Sequence, residues 1–159
     1  KPVVVQLYRE YAVKVNIALA RSGEVQKGEY EGEYNAAGEY EGRGVLRYAD
    51  GDVYEGEFKA GKMEGRGVYR YADGDVYDGE YKAGKYEGRG VFQYADGGVD
   101  SCFYKQDADV GEGVRWLADG QGAARLRDGE EEEEISLEEA RQTAERLGLP
   151  LPSPLPGAV

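Results

Sequence analysis

Carboxylates are the abundant chemically useful groups in this chain. Of 159 residues, 32 are Asp or Glu and 20 are Lys or Arg, for a formal net charge of −12. Two carboxylates flanking a glycosidic bond suffice for its hydrolysis, and pairs such as Glu55 with Glu57 and Asp50 with Asp52 are plentiful. These pairs recur with a repeat, whereas catalytic residues would break a repeat at one place. They are therefore expected to be structural, and the chain to be no enzyme. Histidine is absent and Cys102 is the only cysteine, which excludes imidazole catalysis, an internal disulfide and a zinc cage from this chain alone. Cys102 itself reads as a small half-buried hydrophobe. Gly61-Lys62-Met63 and Gly84-Lys85-Tyr86 lack the Ser or Thr of a phosphate-binding loop. The Asp-Gly-Asp turns at Asp50 and Asp73 lack the later ligands of a calcium loop. No cofactor or metal is expected, and the run Glu130–Glu134 reads as a solvated acidic loop.

The elements carrying these groups are written in a repeated unit. Tyr54–Val76 and Tyr77–Val99 are nearly the same 23 residues, Tyr30–Val53 is the same unit with one extra residue, and Asp100–Gly122 is a worn copy. Such a period marks a repeat architecture, in which each unit buries its apolar face against its neighbours. Within a unit, Tyr54–Phe58 and Gly65–Tyr71 alternate as strands do. Lys59–Lys62 between them reads as a four-residue hairpin loop. That loop places Phe58 opposite Met63, Gly56 opposite Gly65, and Tyr54 over Gly67. Because the unit has an odd length, its aromatic residues stay on one face only if the second connection is odd as well. Ala72-Asp73-Gly74 meets that need as a three-residue loop with Gly74 left-handed, and the same holds for Gly51 and Gly97. The extra residue of the first copy belongs in the loop Asn35–Glu39. The fold class expected is all-β: an elongated, twisted antiparallel meander of about eight strands, a solenoid of stacked hairpins.

One face of that sheet is aromatic and the other charged. Tyr30, Tyr48, Tyr54, Tyr69, Tyr71, Tyr77, Phe92 and Tyr94 form a ladder that a single sheet cannot cover alone, and this ladder is the candidate partner-binding surface. Leu46 joins it. Burial against neighbouring repeats is the competing use of the same rings. On the charged face, Glu55 is expected opposite Arg66 and Asp78 opposite Arg89, as exposed pairs of little energetic weight. Lys59, Lys62, Lys82 and Lys85 cluster at one edge and are the alternative, lipid-binding site.

The ends differ from the array. Ser136 and Glu139 form a capping box that opens a helix with Leu137, Ala140, Ala144 and Leu147 on its apolar side, stopped by Gly148 and Pro150. Trp116 replaces the charge held by Arg70 and Gln93, as a capping position would, so the helix is expected to fold back over the last hairpin. Residues 1–29 fit a helical face and, over Tyr11–Leu19, a strand alternation equally; the helix is the reading adopted. The domains are then residues 1–29, four repeats over 30–122, a final strand with acidic loop and helix over 123–149, and a proline-rich tail over 150–159.

The core Y-E-G-E-[FY]-x-x-G-K-x-E-G-R-G-V-x-x-Y-A-D-G resembles the MORN repeat, named for membrane occupation and recognition nexus, over Tyr30 to about Gly120. That resemblance implies a twisted antiparallel sheet used for assembly, with chemistry residing elsewhere. The function expected is a protein-interaction scaffold or accessory subunit of a larger multi-protein assembly, and both membrane association of that assembly and a homodimer are compatible with it. The alternative is a peripheral adaptor binding lipid headgroups. The acidic array repels phosphate backbones, so nucleic acid is not an expected partner, and no apolar run is long enough to span a bilayer as a helix.

Overall fold

A computed structural model describes residues 28–153. The helix expected within residues 1–29 lies outside the described residues except at Gly28 and Glu29, and residues 154–159 of the tail lie outside them too. Ten strands form one antiparallel sheet in sequence order: β1 (Gly28–Tyr34), β2 (Tyr40–Tyr48), β3 (Val53–Lys59), β4 (Lys62–Arg70), β5 (Val76–Lys82), β6 (Lys85–Gln93), β7 (Val99–Lys105), β8 (Ala108–Trp116), β9 (Ala123–Arg127) and β10 (Glu130–Ile135). One helix, α1 (Leu137–Leu147), follows.

The meander is thus two strands longer than the repeat alone predicts. Glu130–Glu134 is not a loop but most of β10, an edge strand among the described residues. Arg125 and Arg127 on β9 reach Glu133 and Glu132, so opposite charges on paired strands hold a run that would otherwise repel itself.

Two kinds of turn alternate. The Asp-Gly turns are three-residue loops, in which Tyr71 N–H donates to the Asp75 carbonyl at 2.9 Å and Gly74 N–H to the Tyr71 carbonyl at 3.1 Å. Gly51, Gly74 and Gly97 all have φ of +102°, as the parity of the repeat demands. The other turn is tighter than expected. Lys59 pairs with Lys62, leaving only Ala60 and Gly61 at the tip with φ of +48° and +81°. Positive φ at both central residues defines a type I′ turn, whose twist matches that of the flanking strands. Asn35–Glu39 does absorb the extra residue of the first unit, between the pair Tyr34 and Tyr40.

The register also departs from simple alternation. Phe58 faces Met63 as expected, but the pairing slips by two residues between Gly56 and Glu57, so Gly56 faces Gly67 and Tyr54 faces Tyr69. The cause is a bulge at Gly65, whose φ of +63° only glycine adopts cheaply. Its exposed N–H neighbour is satisfied, because Arg66 N–H donates to Glu57 Oε2 at 2.6 Å. Glu55 consequently lies opposite Val68 and Asp78 opposite Val91, and the expected Glu55–Arg66 and Asp78–Arg89 pairs do not form. Arg66 meets Asp78 on the next strand instead, at 3.5 Å and well exposed.

Each face carries its own core. The aromatic face buries Tyr30, Tyr40, Tyr54, Phe58, Tyr77, Tyr81 and Tyr104 in one cluster with Leu46, Cys102 and Leu126. The opposite face is not merely charged, for its valines Val91, Val99 and Val114 join Trp116, Ala140, Ala144 and Leu149 in a second cluster. α1 supplies that cover. It starts with the predicted capping box, ends at Gly148 in the left-handed conformation, and buries Ala140, Thr143 and Ala144. It therefore lies over the outer face of the last repeat, with Trp116 fully buried beneath it.

The candidate docking trough

The aromatic ladder divides into two rows. Tyr30, Tyr54 and Tyr77 are the inner row and are essentially inaccessible. Each ring lies over a cross-strand glycine, close enough that a Cβ at Gly67 would stand 2.5 Å from Tyr54 Cε2 and one at Gly90 2.6 Å from Tyr77 Cε2. Each hydroxyl donates to the carbonyl three residues on, at 2.9, 2.8 and 3.0 Å. Tyr77 also stacks on Tyr86 with centroids 3.7 Å apart, and Tyr30 on Tyr40 at 3.8 Å. These three rings are core, so they present no surface to a partner.

The outer row remains half exposed. Tyr48, Tyr69, Tyr71, Phe92 and Tyr94 follow one another with centroid separations of 5.8, 4.6, 6.1 and 4.9 Å, and Tyr94 is 37% exposed. The row ends at Arg115, whose guanidinium sits 5.8 Å from the Tyr94 ring centroid. Tyr71 stands at the Asp-Gly end of β4 and Tyr86 at the opposite, type I′ end of β6, yet their hydroxyls are hydrogen-bonded. The strands must therefore bend along the line of glycines, and the aromatic face becomes a trough between two arms. Where Met63 takes the place of Tyr86, the trough holds an open cavity of about 480 Å³ lined by Tyr40, Leu46, Tyr48, Phe58 and Met63. Lys62 and Lys85 stand at its rim with Glu39 and Asp107.

The electrostatics favour neutral hydrogen bonding over acid–base chemistry. Burial, and then Asp52 and Asp50, push the Tyr48 phenol up to about 12. Burial, and then Asp100, do the same for Tyr94, also to about 12. Tyr69 is raised by burial and by its 2.8 Å donation to Asp52 Oδ2. All three are neutral donors near pH 7.

The recurring carboxylates have structural tasks. Glu41, Glu64 and Glu87 each accept the first N–H of the next type I′ turn at 3.0 Å. Asp52 and Asp75 accept N–H groups from the Asp-Gly turn of the following repeat, at 2.8 and 2.7 Å. Asp50, Asp73 and Asp96 close their own turns by accepting from the residue two positions on. Among the described residues, no group of three or more His, Cys, Asp or Glu side chains is placed to hold a metal ion. Lys59, Lys62, Lys82 and Lys85 are exposed and flank two consecutive type I′ turns.

One place does break the pattern. Asp100 stands in the slot of Tyr54 and Tyr77, and Arg115 in the slot of Tyr69 and Phe92. Asp100 is 3% exposed and takes two 2.7 Å hydrogen bonds from Arg115, one from Nε and one from Nη2, plus a 2.9 Å bond from the Tyr94 hydroxyl. Glu131 holds the third guanidinium nitrogen at 2.8 Å. Burial pushes the thiol of Cys102 up, so it is a packed thiol, not a nucleophile. Sequence reading missed this cluster. Its signal was two opposite charges replacing two aromatics in the worn fourth copy.

Comparison with known proteins agrees with the geometry. No curated protein matches the chain. A family model of the MORN repeat matches three consecutive segments, residues 30–53, 54–76 and 77–99, which coincide with the hairpins β1–β2, β3–β4 and β5–β6 and the turns after them. The fourth hairpin continues the same sheet beyond the matched region, so residues 30–99 match three MORN repeats within a longer array of the same topology.

Proposed function

We propose that this protein is a non-enzymatic interaction scaffold or accessory subunit that receives a protein partner in the aromatic trough. The observation that carries this reading is the unbroken outer row from Tyr48 to Tyr94, half exposed beside an apolar cavity whose walls are already set by inner-row packing. Preformed apolar surfaces bordered by polar groups are where partners bind, and a few buried aromatics carry most of the energy. Replacing Tyr48 with Ala should weaken association with the native partner by about 1–2 kcal/mol, with circular dichroism showing an intact sheet. Arg66→Glu on the outer face is the control. Affinity isolation from the native source, quantified by mass spectrometry, identifies the partner and compares the variants. Loss of capture with Arg66→Glu alone would place binding on the outer face and refute this reading.

A second reading rests on the four lysines at the type I′ turns, which present positive charge at one edge of an acidic protein. At a net charge of −12 the protein should not co-float with anionic vesicles at physiological salt. Salt-sensitive flotation that is abolished by changing Lys59, Lys62, Lys82 and Lys85 to Glu would instead establish a lipid-binding edge.

A further inference from the structure

The trough holds one cation of its own, and its setting shows what kind of group fits beside the outer row. The Arg115 guanidinium lies 5.8 Å from the Tyr94 ring centroid and donates to both oxygens of Asp100 at 2.7 Å, while the Tyr94 hydroxyl donates to the same carboxylate at 2.9 Å. A tyrosine tied to a carboxylate thus offers a ring face and a negative charge to one planar cation. The chain supplies that cation itself, so this end of the row is already filled.

The pairing recurs without its cation in the middle of the array. The Tyr69 hydroxyl donates to Asp52 Oδ2 at 2.8 Å. Asp52 and Asp75 hold equivalent positions after their Asp-Gly turns, share the face of Tyr54 and Tyr77 by strand alternation, and are half-buried. Their structural task occupies Oδ1, which accepts the N–H of Ala72 or Ala95 at 2.8 and 2.7 Å. Among the described residues no Lys or Arg forms an ion pair with either carboxylate. Both act on the outer row, for burial, and then Asp52, Asp107 and Asp75, raise the Tyr71 phenol. In the worn copy Gly98 stands in the slot of Asp52 and Asp75, and there Asp100 and Arg115 take over. The opposite rim of the cavity mixes Lys62 and Lys85 with Glu39 and Asp107, so the uncompensated charge lies on the Asp-Gly side.

We infer that the segment received in the trough is basic and extended, with two arginines three residues apart seated on Asp52 and Asp75 beside Tyr71 and an apolar side chain in the cavity at Tyr48 and Met63. This rests on the trough being the docking surface. Asp52 and Asp75 are two strands apart, or about 9.5 Å at the usual strand spacing. Three residues of polyproline-like chain cover about 9.3 Å and bring the side chain back to the same side. Arginine suits these positions better than lysine, because its planar fork grips a carboxylate and lies on a ring at once, as Arg115 does.

Fluorescence anisotropy of the full chain with a labelled peptide carrying arginine at every third position, with leucine and proline between, tests the assignment. Asp52→Asn with Asp75→Asn removes the charge but keeps an acceptor for each turn, and should weaken binding about tenfold. Glu55→Gln with Asp78→Asn removes as much charge from the outer face and should change binding by less than about twofold. The same peptide with lysine should bind more weakly, and with glutamate not at all. Equal losses in the two double variants, or equal binding of the arginine and lysine peptides, would reduce the attraction to net charge and overturn the proposal. With the native partner, loss of capture by Tyr48→Ala but not by the Asn pair would refute the basic segment and leave the trough as the docking surface. Capture indifferent to both would remove the trough and this inference with it.

Discussion

A single glycine shows how the repeat excludes side chains. At Gly67 an added Cβ would stand 2.5–2.6 Å from the Tyr54 ring, whereas at Gly84 it would meet nothing within 4 Å but suffer a φ of +84°. Gly67→Ala should therefore cost about 2–3 kcal/mol through overpacking, and Gly84→Ala only about 1–2 kcal/mol through backbone strain. Urea unfolding measures both, and equal costs would remove the ring as the reason for the glycine. The worn copy obeys the same logic in reverse. Where Asp100 replaces the tyrosine, Cys102 replaces the neighbouring glycine, and its sulfur occupies the space left by the missing ring, 2.7 Å from where a Gly113 Cβ would lie. Arg115→Met alone leaves Asp100 buried without its cation and should lose about 3–5 kcal/mol. The combination Asp100→Tyr, Cys102→Gly and Arg115→Phe rebuilds the repeat and should recover most of that loss. If the combination is no more stable than Arg115→Met, the ion pair is not a substitute for the aromatic stack.

Among the elements, those governed by local rules were the legible ones. The alternation of Tyr54–Phe58 located a strand, the parity of the unit set the sign of φ at Gly74, and Ser136 with Glu139 placed the start of α1 to the residue. The bulge was hidden because Gly65 and Gly67 fit an unbroken alternation as well as a slipped one, and only three-dimensional pairing distinguishes them. β10 was hidden because five consecutive glutamates have no intrinsic preference for a strand; Arg125 and Arg127 on the partner strand decide it. For the candidate site, the ladder was legible but its division into core and surface was not, since that depends on how far the sheet bends. α1 offers a measurable case. Ser136→Ala removes the acceptor of the Glu139 N–H and should cost about 1 kcal/mol. Trp116→Ala opens the cluster beneath the helix and should cost about 3–5 kcal/mol. Hydrogen exchange should show both losses first in α1, and uniform loss across the sheet would mean that helix and array unfold as one.

The whole molecule is built on tyrosines whose burial couples its stability to alkaline pH. The inner row and Tyr81, Tyr86 and Tyr104 form one connected cluster spanning β1 to β7. Burial is the first cause raising every one of these phenols above its ordinary value. A phenol that ionises less readily in the folded than in the unfolded chain favours folding fully at pH below about 10, the unfolded value. Above it the unfolded state gains by losing the proton, and the advantage falls until the folded value is passed. Because several rings share the cluster, these losses add over the same interval, and they begin together near pH 10. The repeats should consequently come apart in one steep alkaline transition, with tyrosinate absorbance and loss of sheet circular dichroism rising on the same curve. Tyr48 and Tyr94, raised to about 12, and Tyr71 beside them in the outer row should ionise ahead of the cluster. A gradual titration of most tyrosines with the sheet signal intact would mean that the inner rings reach solvent without unfolding, and that the trough opens along its length.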